Sequence, residues 1–523
     1  MSLELIKDTI KIDQLVGKER VESLVEGEIT LPDYKPKIDK LITLDGEVEI
    51  TNQLLKEDTL IVTGIVKFKT IYTTEEDEDQ LIHSLESKTD FREEIALSSS
   101  YDAKAIVSAE IEHIEYTKLT DKKIGVKTVI DIEARLNQQG SVEIIKDLEG
   151  GEGVQTLKQT IKYSEMVAST QTKNTVKDTF EIAEGAGDVV DILRIDTDVS
   201  VSESRVVDGK VIVAGDLKCF ILYYSDNEEQ ILSYIKEEIP FTHFAEVEDA
   251  VADMNYTLDL KVKDINYDVR GDINGNLRII DFESVVSIDA KVYTQSQKQI
   301  ITDTYSTMKK FNVKTENIML TQNLAKHNIE ESLKQIVDIK GEDMVKLCNI
   351  KANPVMTDSR VLEEKVIIEG IVELDILYIG KTQSLNVLKS EIPFKSYIDI
   401  ESSDSEIDIE VKNIINDISH SKINGEELEV EISLTNIIAV NTIKDITVVS
   451  EAVELEETIS NKDRASITIY MVQKKDTVWD IAKRYSTTVE EIISTNDIEE
   501  ENLKVGQKII IEKHLDTTLQ AYA

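Results

Sequence analysis

Gly64-Ile-Val-Lys-Phe-Lys-Thr-Ile-Tyr72 is the stretch from which the fold is read. Every second residue gives Gly64, Val66, Phe68, Thr70 and Tyr72, the period of a strand with one face in a core. The residues between them start charged at Lys67 and end apolar at Ile71, so the strand is predicted to become buried on both faces toward its end. The stretch returns as Gly215–Tyr223 and Gly370–Tyr378, at offsets of 151 and 155 residues, with Lys218 and Glu373 then Leu222 and Leu377 repeating the switch. A period this long is a domain repeat, not a solenoid. The interior glycine marks a bulge or a close backbone approach. Cys219 stands where the other copies have Phe68 and Leu374, which makes it a core residue and not a nucleophile.

Further landmarks surround this strand. Ile38-Asp-Lys-Leu-Ile matches Val189-Val-Asp-Ile-Leu, and Leu333-Lys-Gln-Ile-Val reads as the third version. Glu238-Ile-Pro-Phe241 recurs as Glu391-Ile-Pro-Phe394, with Glu94-Ile-Ala-Leu97 as a degenerate first copy; it reads as a turn. Asn274-Gly275-Asn276 and Asn424-Gly425-Glu426 are hairpin chemistry between alternating runs, with Asp121-Lys-Lys in that place in the first copy. Val, Ile and Thr dominate and helix-length patterns are scarce. The expected fold is mainly β, with three tandem domains at 1–150 (core 28–140), 151–300 (core 176–296) and 301–450 (core 320–445). Residues 138–169 and 296–315 lack strong apolar periodicity and read as linkers, with Gly150-Gly151-Glu152-Gly153 as the flexible point. Residues 451–466 read as a polar tether.

Residues 467–514 differ in kind. Thr477 and Asp480 stand in capping-box spacing, and Val478, Ile481, Ala482 and Tyr485 behind them form one apolar helix stripe. Thr488 and Glu491 repeat the box, and Val489, Ile492 and Ile493 repeat the stripe. β-type runs flank both, at 467–472 and 508–511. The reading is strand–helix–helix–strand, near the lower size limit for a core without disulfides or metal.

This element resembles a LysM module through its Asp-Thr-x-Trp-x-Ile-Ala-x-x-Tyr opening, its Asn496-x-Ile498 turn and its Leu503-x-x-Gly506-Gln507 approach to the last strand. The resemblance implies a shallow groove for an N-acetylglucosamine polymer, with Asp476, Thr477, Val478 and Trp479 facing Asn496, Asp497, Ile498 and Leu503. Many such modules carry Gly where this chain has Lys475, whose bulk and charge at the groove mouth point away from sugar. The upstream domains resemble the SPOCS domain of spore-coat proteins, on the Gly-to-Tyr strand and the Ile-Pro-Phe motif. The order of modules resembles SipL-like spore coat morphogenetic proteins. It implies a scaffold in the mother-cell cytoplasm at the forespore surface, whose LysM groove docks onto the coat base-layer ATPase (stage IV sporulation protein A type). The upstream domains would recruit other coat proteins. Peptidoglycan is the alternative partner.

Composition sets limits. A net charge of −43 argues against nucleic acid or anionic lipid as a direct partner. Residues 466–513 carry seven Lys/Arg against nine Asp/Glu, so almost all the acidity lies upstream. That suggests one sticky end and one self-repelling body, or only acidity that keeps a β-rich protein in solution. The first fifteen residues mix charges into their apolar positions, unlike an export signal, and no apolar run suits membrane insertion. Cys219 and Cys348 are too few for a disulfide framework. The six histidines are scattered, no phosphate-cradling loop exists, and the acidic run Glu75–Asp79 lacks EF-hand spacing and reads as a solvated turn. No enzyme and no cofactor is expected. Trp479, the only tryptophan, has two readings: an anchor for a partner, or half of a small core.

Overall fold

A computed structural model describes residues 3–74, 81–97, 103–183, 185–362, 364–400, 406–459, 465–498 and 503–512. The run Glu75–Asp79 and His514 lie outside the described residues. The first repeat runs β1 (Glu4–Thr30), β2 (Lys40–Lys56), β3 (Thr59–Thr73), β4 (Ile82–Ala96), β5 (Ala103–Thr120) and β6 (Lys123–Glu149). The second runs β7 (Val154–Glu181), β8 (Val189–Val207), β9 (Lys210–Ser225), β10 (Leu232–Glu246), β11 (Asn255–Gly271) and β12 (Leu277–Ser306). The third runs β13 (Lys309–Asp338), β14 (Met344–Leu362), β15 (Lys365–Gly380), β16 (Leu385–Asp399), β17 (Glu406–Lys422) and β18 (Glu427–Thr458). A small module follows: β19 (Ile467–Met471), α1 (Val478–Tyr485), α2 (Val489–Asn496) and β20 (Lys508–Glu512). The chain is mainly β, as expected.

Each repeat is a sandwich of two antiparallel three-stranded sheets. In the first, β2-β3-β4 packs on β1-β6-β5, and the other repeats copy that order. The stretch that opened the sequence is the middle strand β3, with counterparts β9 and β15. Val66, Phe68 and Tyr72 meet Ile124, Val126, Ile130 and Ile132 of β6 in the first core. Cys219 lies in the second core at 3% exposure. The glycines mark a close approach: Gly64, Gly215 and Gly370 pair with Phe91, Phe241 and Phe394. A Cβ on Gly64 would sit 2.5 Å from both the Phe91 ring and the Glu49 carbonyl oxygen. The aromatic ring covers the gap that the glycine leaves.

Two sequence alignments are corrected here. The first-repeat counterpart of Phe241 is Phe91 and not Leu97, because both lie opposite the glycine. The Ile-Pro-Phe motif is not a turn; it lies mid-strand in β10 and β16. These are edge strands, where a residue without an N–H is tolerated. The third version of Ile38–Ile42 is Met344–Cys348 at the start of β14, whereas Leu333–Val337 belongs to the outer strand β13. Apolar spacing is alike at both places, so only pairing decides between them.

The repeats are not beads on a string. Ile71, Leu222 and Leu377, the apolar ends of the switch noted in sequence, are buried together with Ile82, Phe220, Cys348 and Ile379 where all three repeats meet. Each repeat also bonds to both others. Arg135 pairs with Glu410 (2.9 Å), Lys412 with Asp259 (3.1 Å) and Lys298 with Asp8 (3.0 Å). Arg194, almost buried, bonds Asp196 of its own repeat and Asp45 of the first. Burial works against that guanidinium's charge, but the two carboxylates outweigh it and hold its pKa above the ordinary value.

The segments expected to be linkers are strands. β1·β6, β7·β12 and β13·β18 run on past their sandwiches as three two-stranded ribbons that pack together. Ile144-Ile145, Ile300-Ile301 and Val448-Val449 each put one side chain into one shared core and the next into a second. Register shifts beside each doublet, at Ile6/Lys7, Ile301/Asp303 and Lys314/Thr315, reset the alternation, which is why no period was visible. The boundaries expected at 300 and 450 fall inside β12 and β18, and residues 451–458 of the expected tether continue β18. The Gly150–Gly153 junction is a bonded turn with positive φ at all three glycines, in which Glu152 and Gly153 carbonyls accept from Ser306 Oγ and the Thr307 N–H.

Candidate functional site

The small module builds its groove from local rules. Thr477 caps α1 and Thr488 caps α2, each in a complete capping box. Ser486 and Asp497 close the helices in the left-handed conformation. Val472, Val478, Ile481, Ala482, Ile492, Ile509 and Ile511 form the core, with Ile498 and Leu503 half-buried against it. The Asp476 carboxylate accepts from Tyr470 Oη (2.6 Å) and the Gln473 N–H (2.8 Å), and these bonds hold its pKa below the usual carboxylate range. Asn496 bonds both backbone groups of Ile510, accepting from its N–H and donating to its carbonyl, each at 2.7 Å.

Most of the expected groove residues therefore hold the fold. Val478 is buried outright. Trp479, expected as one of the groove residues, is 7% exposed and faces the second repeat. Its indole Nε1 donates to Asp303 of β12 at 2.8 Å, and its ring meets Tyr305 edge-on with centroids 4.9 Å apart. Lys483 Nζ donates to the same carboxylate at 2.6 Å, and Tyr305 Oη donates to the Thr487 carbonyl at 2.7 Å. Burial raises the Tyr305 pKa, with Asp303 adding to it. Sequence reasoning missed Asp303, Tyr305 and Lys483. The one signal was the indole itself, since a buried Trp N–H needs an acceptor. Lys475, Thr477 and Asp497 are left facing solvent.

Lys475 has φ 77°, in the left-handed region that glycine adopts without cost. Its place is where related modules carry Gly. Lys475→Gly is expected to stabilise the module by about 1 kcal/mol, read as a shift in the denaturation midpoint followed by Trp479 emission. No shift would mean that the loop relaxes around the lysine.

Among the described residues no group of three His, Cys, Asp or Glu side chains is placed to hold a metal ion, and no helix is long and apolar enough to cross a membrane.

Models of two families match this chain: SipL, SPOCS domain, at residues 37–119, 188–270 and 343–423, and LysM domain at residues 470–512. Both are non-catalytic binding domains, so the fold and the site define a tandem-repeat binding protein. The chain has the SipL-like architecture: three SPOCS domains followed by a C-terminal LysM domain. Each SPOCS match spans the four middle strands of a repeat and leaves the long ribbon strands outside. No curated protein and no solved structure matches the chain.

Proposed function

We propose that this chain is a non-enzymatic spore coat morphogenetic scaffold. Three SPOCS domains joined to one LysM domain carry the reading. In it, the LysM groove docks onto the coat base-layer ATPase in the mother-cell cytoplasm, and the SPOCS body recruits or organises other coat proteins around the forespore. The body suits a scaffold because its three repeats share one hub, so surfaces on different repeats keep fixed spacing and weak contacts reinforce one another. The docking groups are those the fold leaves to solvent, Lys475, Thr477 and Asp497, beside half-buried Asp476, Ile498 and Leu503; Val478 and Asn496 support the groove, and Trp479 is turned to the second repeat. Pull-down from sporulating cells with Lys475→Glu should lose the ATPase while Trp479 emission stays unchanged. Full retention of the ATPase overturns the groove assignment.

LysM domains bind peptidoglycan, which supports a second reading: a peptidoglycan-binding protein of cortex or wall. Co-sedimentation with purified peptidoglycan separates the two. Firm binding reversed by chitooligosaccharide favours glycan over protein.

A further inference from the structure

The sheet of the LysM domain has an outer face that none of the described residues covers. Ile467, Ile469 and Met471 of β19 are 60%, 65% and 56% exposed, and Ile510 of β20 stands beside them. Ile469 lies directly opposite Ile510, Ile467 opposite Glu512 and Met471 opposite Lys508, so these six side chains share one face. A cluster of exposed aliphatic side chains on one small sheet marks an interaction surface. The outer backbone edge of β20 is stopped at Ile510 by the Asn496 amide, so the opening there is the face and not that edge.

The charges on this face identify the occupant. In a molecule of net charge −43 the face carries one cation and one anion, Lys508 and Glu512, at opposite ends of the same strand. A two-fold axis lying across the strands stacks the face on its own copy with strand direction reversed. That operation sets Lys508 against Glu512 of the copy at both ends, Ile510 on Ile510, Ile469 on Ile469 and Ile467 on Met471. Apolar meets apolar and unlike charges meet, which is the self-complementarity of an isologous contact. We infer that the outer face of the LysM sheet is a homodimer interface for a second copy of this chain. Six residues a side is well short of the roughly 20–30 of a standard interface, so the pairing is weak and grows important where copies are concentrated on a surface.

Sedimentation velocity of the full chain, from low micromolar to several hundred micromolar, should show a reversible monomer–dimer equilibrium. Ile469→Arg should abolish it. Lys508→Glu sets like charges together at both ends and should weaken dimerisation about tenfold, and adding Glu512→Lys should restore it. Restoration by a charge swap is something a merely unstable variant does not show, and Trp479 emission checks folding. A chain that stays monomeric throughout, a dimer indifferent to Ile469→Arg, or a swap that fails to restore each overturns the inference. So does an Ile469→Arg variant that keeps its self-association but no longer captures a coat protein, which assigns the face to that protein.

Discussion

Ile71→Asp is expected to open the contact among the three repeats while the sandwich around it stays folded. Ile71 is 2% exposed and points into the shared hub, whereas its neighbour Tyr72 points into the first repeat's own core. A carboxylate there has no partner among Leu222, Leu377, Cys348 and Phe220, and burying it costs about 4 kcal/mol or more. Separating the repeats is the cheaper response. The two cysteines report which event occurs. Burial pushes the thiols of both Cys219 and Cys348 up to about 12, so neither reacts with a thiol reagent at mildly alkaline pH in the folded chain. Cys348 sits in the hub and Cys219 inside the second sandwich. The variant should therefore label at Cys348 many-fold faster than the parent chain, with Cys219 still protected. Equal labelling of both would mean global unfolding, and no labelling would mean that contacts outside the hub are enough to keep the repeats together.

How far this architecture could be read from sequence depends on the range of the interactions. The LysM domain was legible almost entirely, because caps, stripes and turn residues act within a few positions; even the odd Lys475 is explained by one backbone angle. In the repeats, alternation located the middle strand, and the change from Lys67 to Ile71 announced a second buried face. It did not say what covers that face, since Leu222 and Leu377 are more than 150 residues away. The ribbon strands were invisible for a different reason. At Ile300-Ile301 and Val448-Val449 consecutive residues are both buried beside a bulge, and a period-2 search loses phase there. Pro240 and Pro393 misled in the opposite direction: proline reads as a turn unless the strand is known to be an edge.

The contact between Trp479 and Asp303 joins residues 176 positions apart, and it fixes how the LysM domain sits on the body. Asp303→Ala removes the acceptor for the indole N–H and the counter-ion of Lys483 together. A nearly buried N–H left without an acceptor costs about 1–3 kcal/mol, which raises the population of released LysM domain about 5- to 150-fold. Because Trp479 is the only tryptophan, its emission should shift to the red as the ring leaves Tyr305 and meets water. Hydrogen exchange should quicken at the far end of the β7·β12 ribbon, where Asp303 and Tyr305 stand, and leave the three sandwiches unchanged. Tyr305→Phe deletes only the bond to the Thr487 carbonyl and should give a smaller release, costing about 1 kcal/mol. Asp303→Asn keeps an acceptor for the indole but drops the charge that faces Lys483, so its emission should fall between the parent and Asp303→Ala. An Asn variant shifted as far as Ala would transfer the weight of the contact from the indole hydrogen bond to the ion pair. Unchanged emission in Asp303→Ala would show that apolar packing of Tyr305 on Trp479 is enough to keep the LysM domain docked.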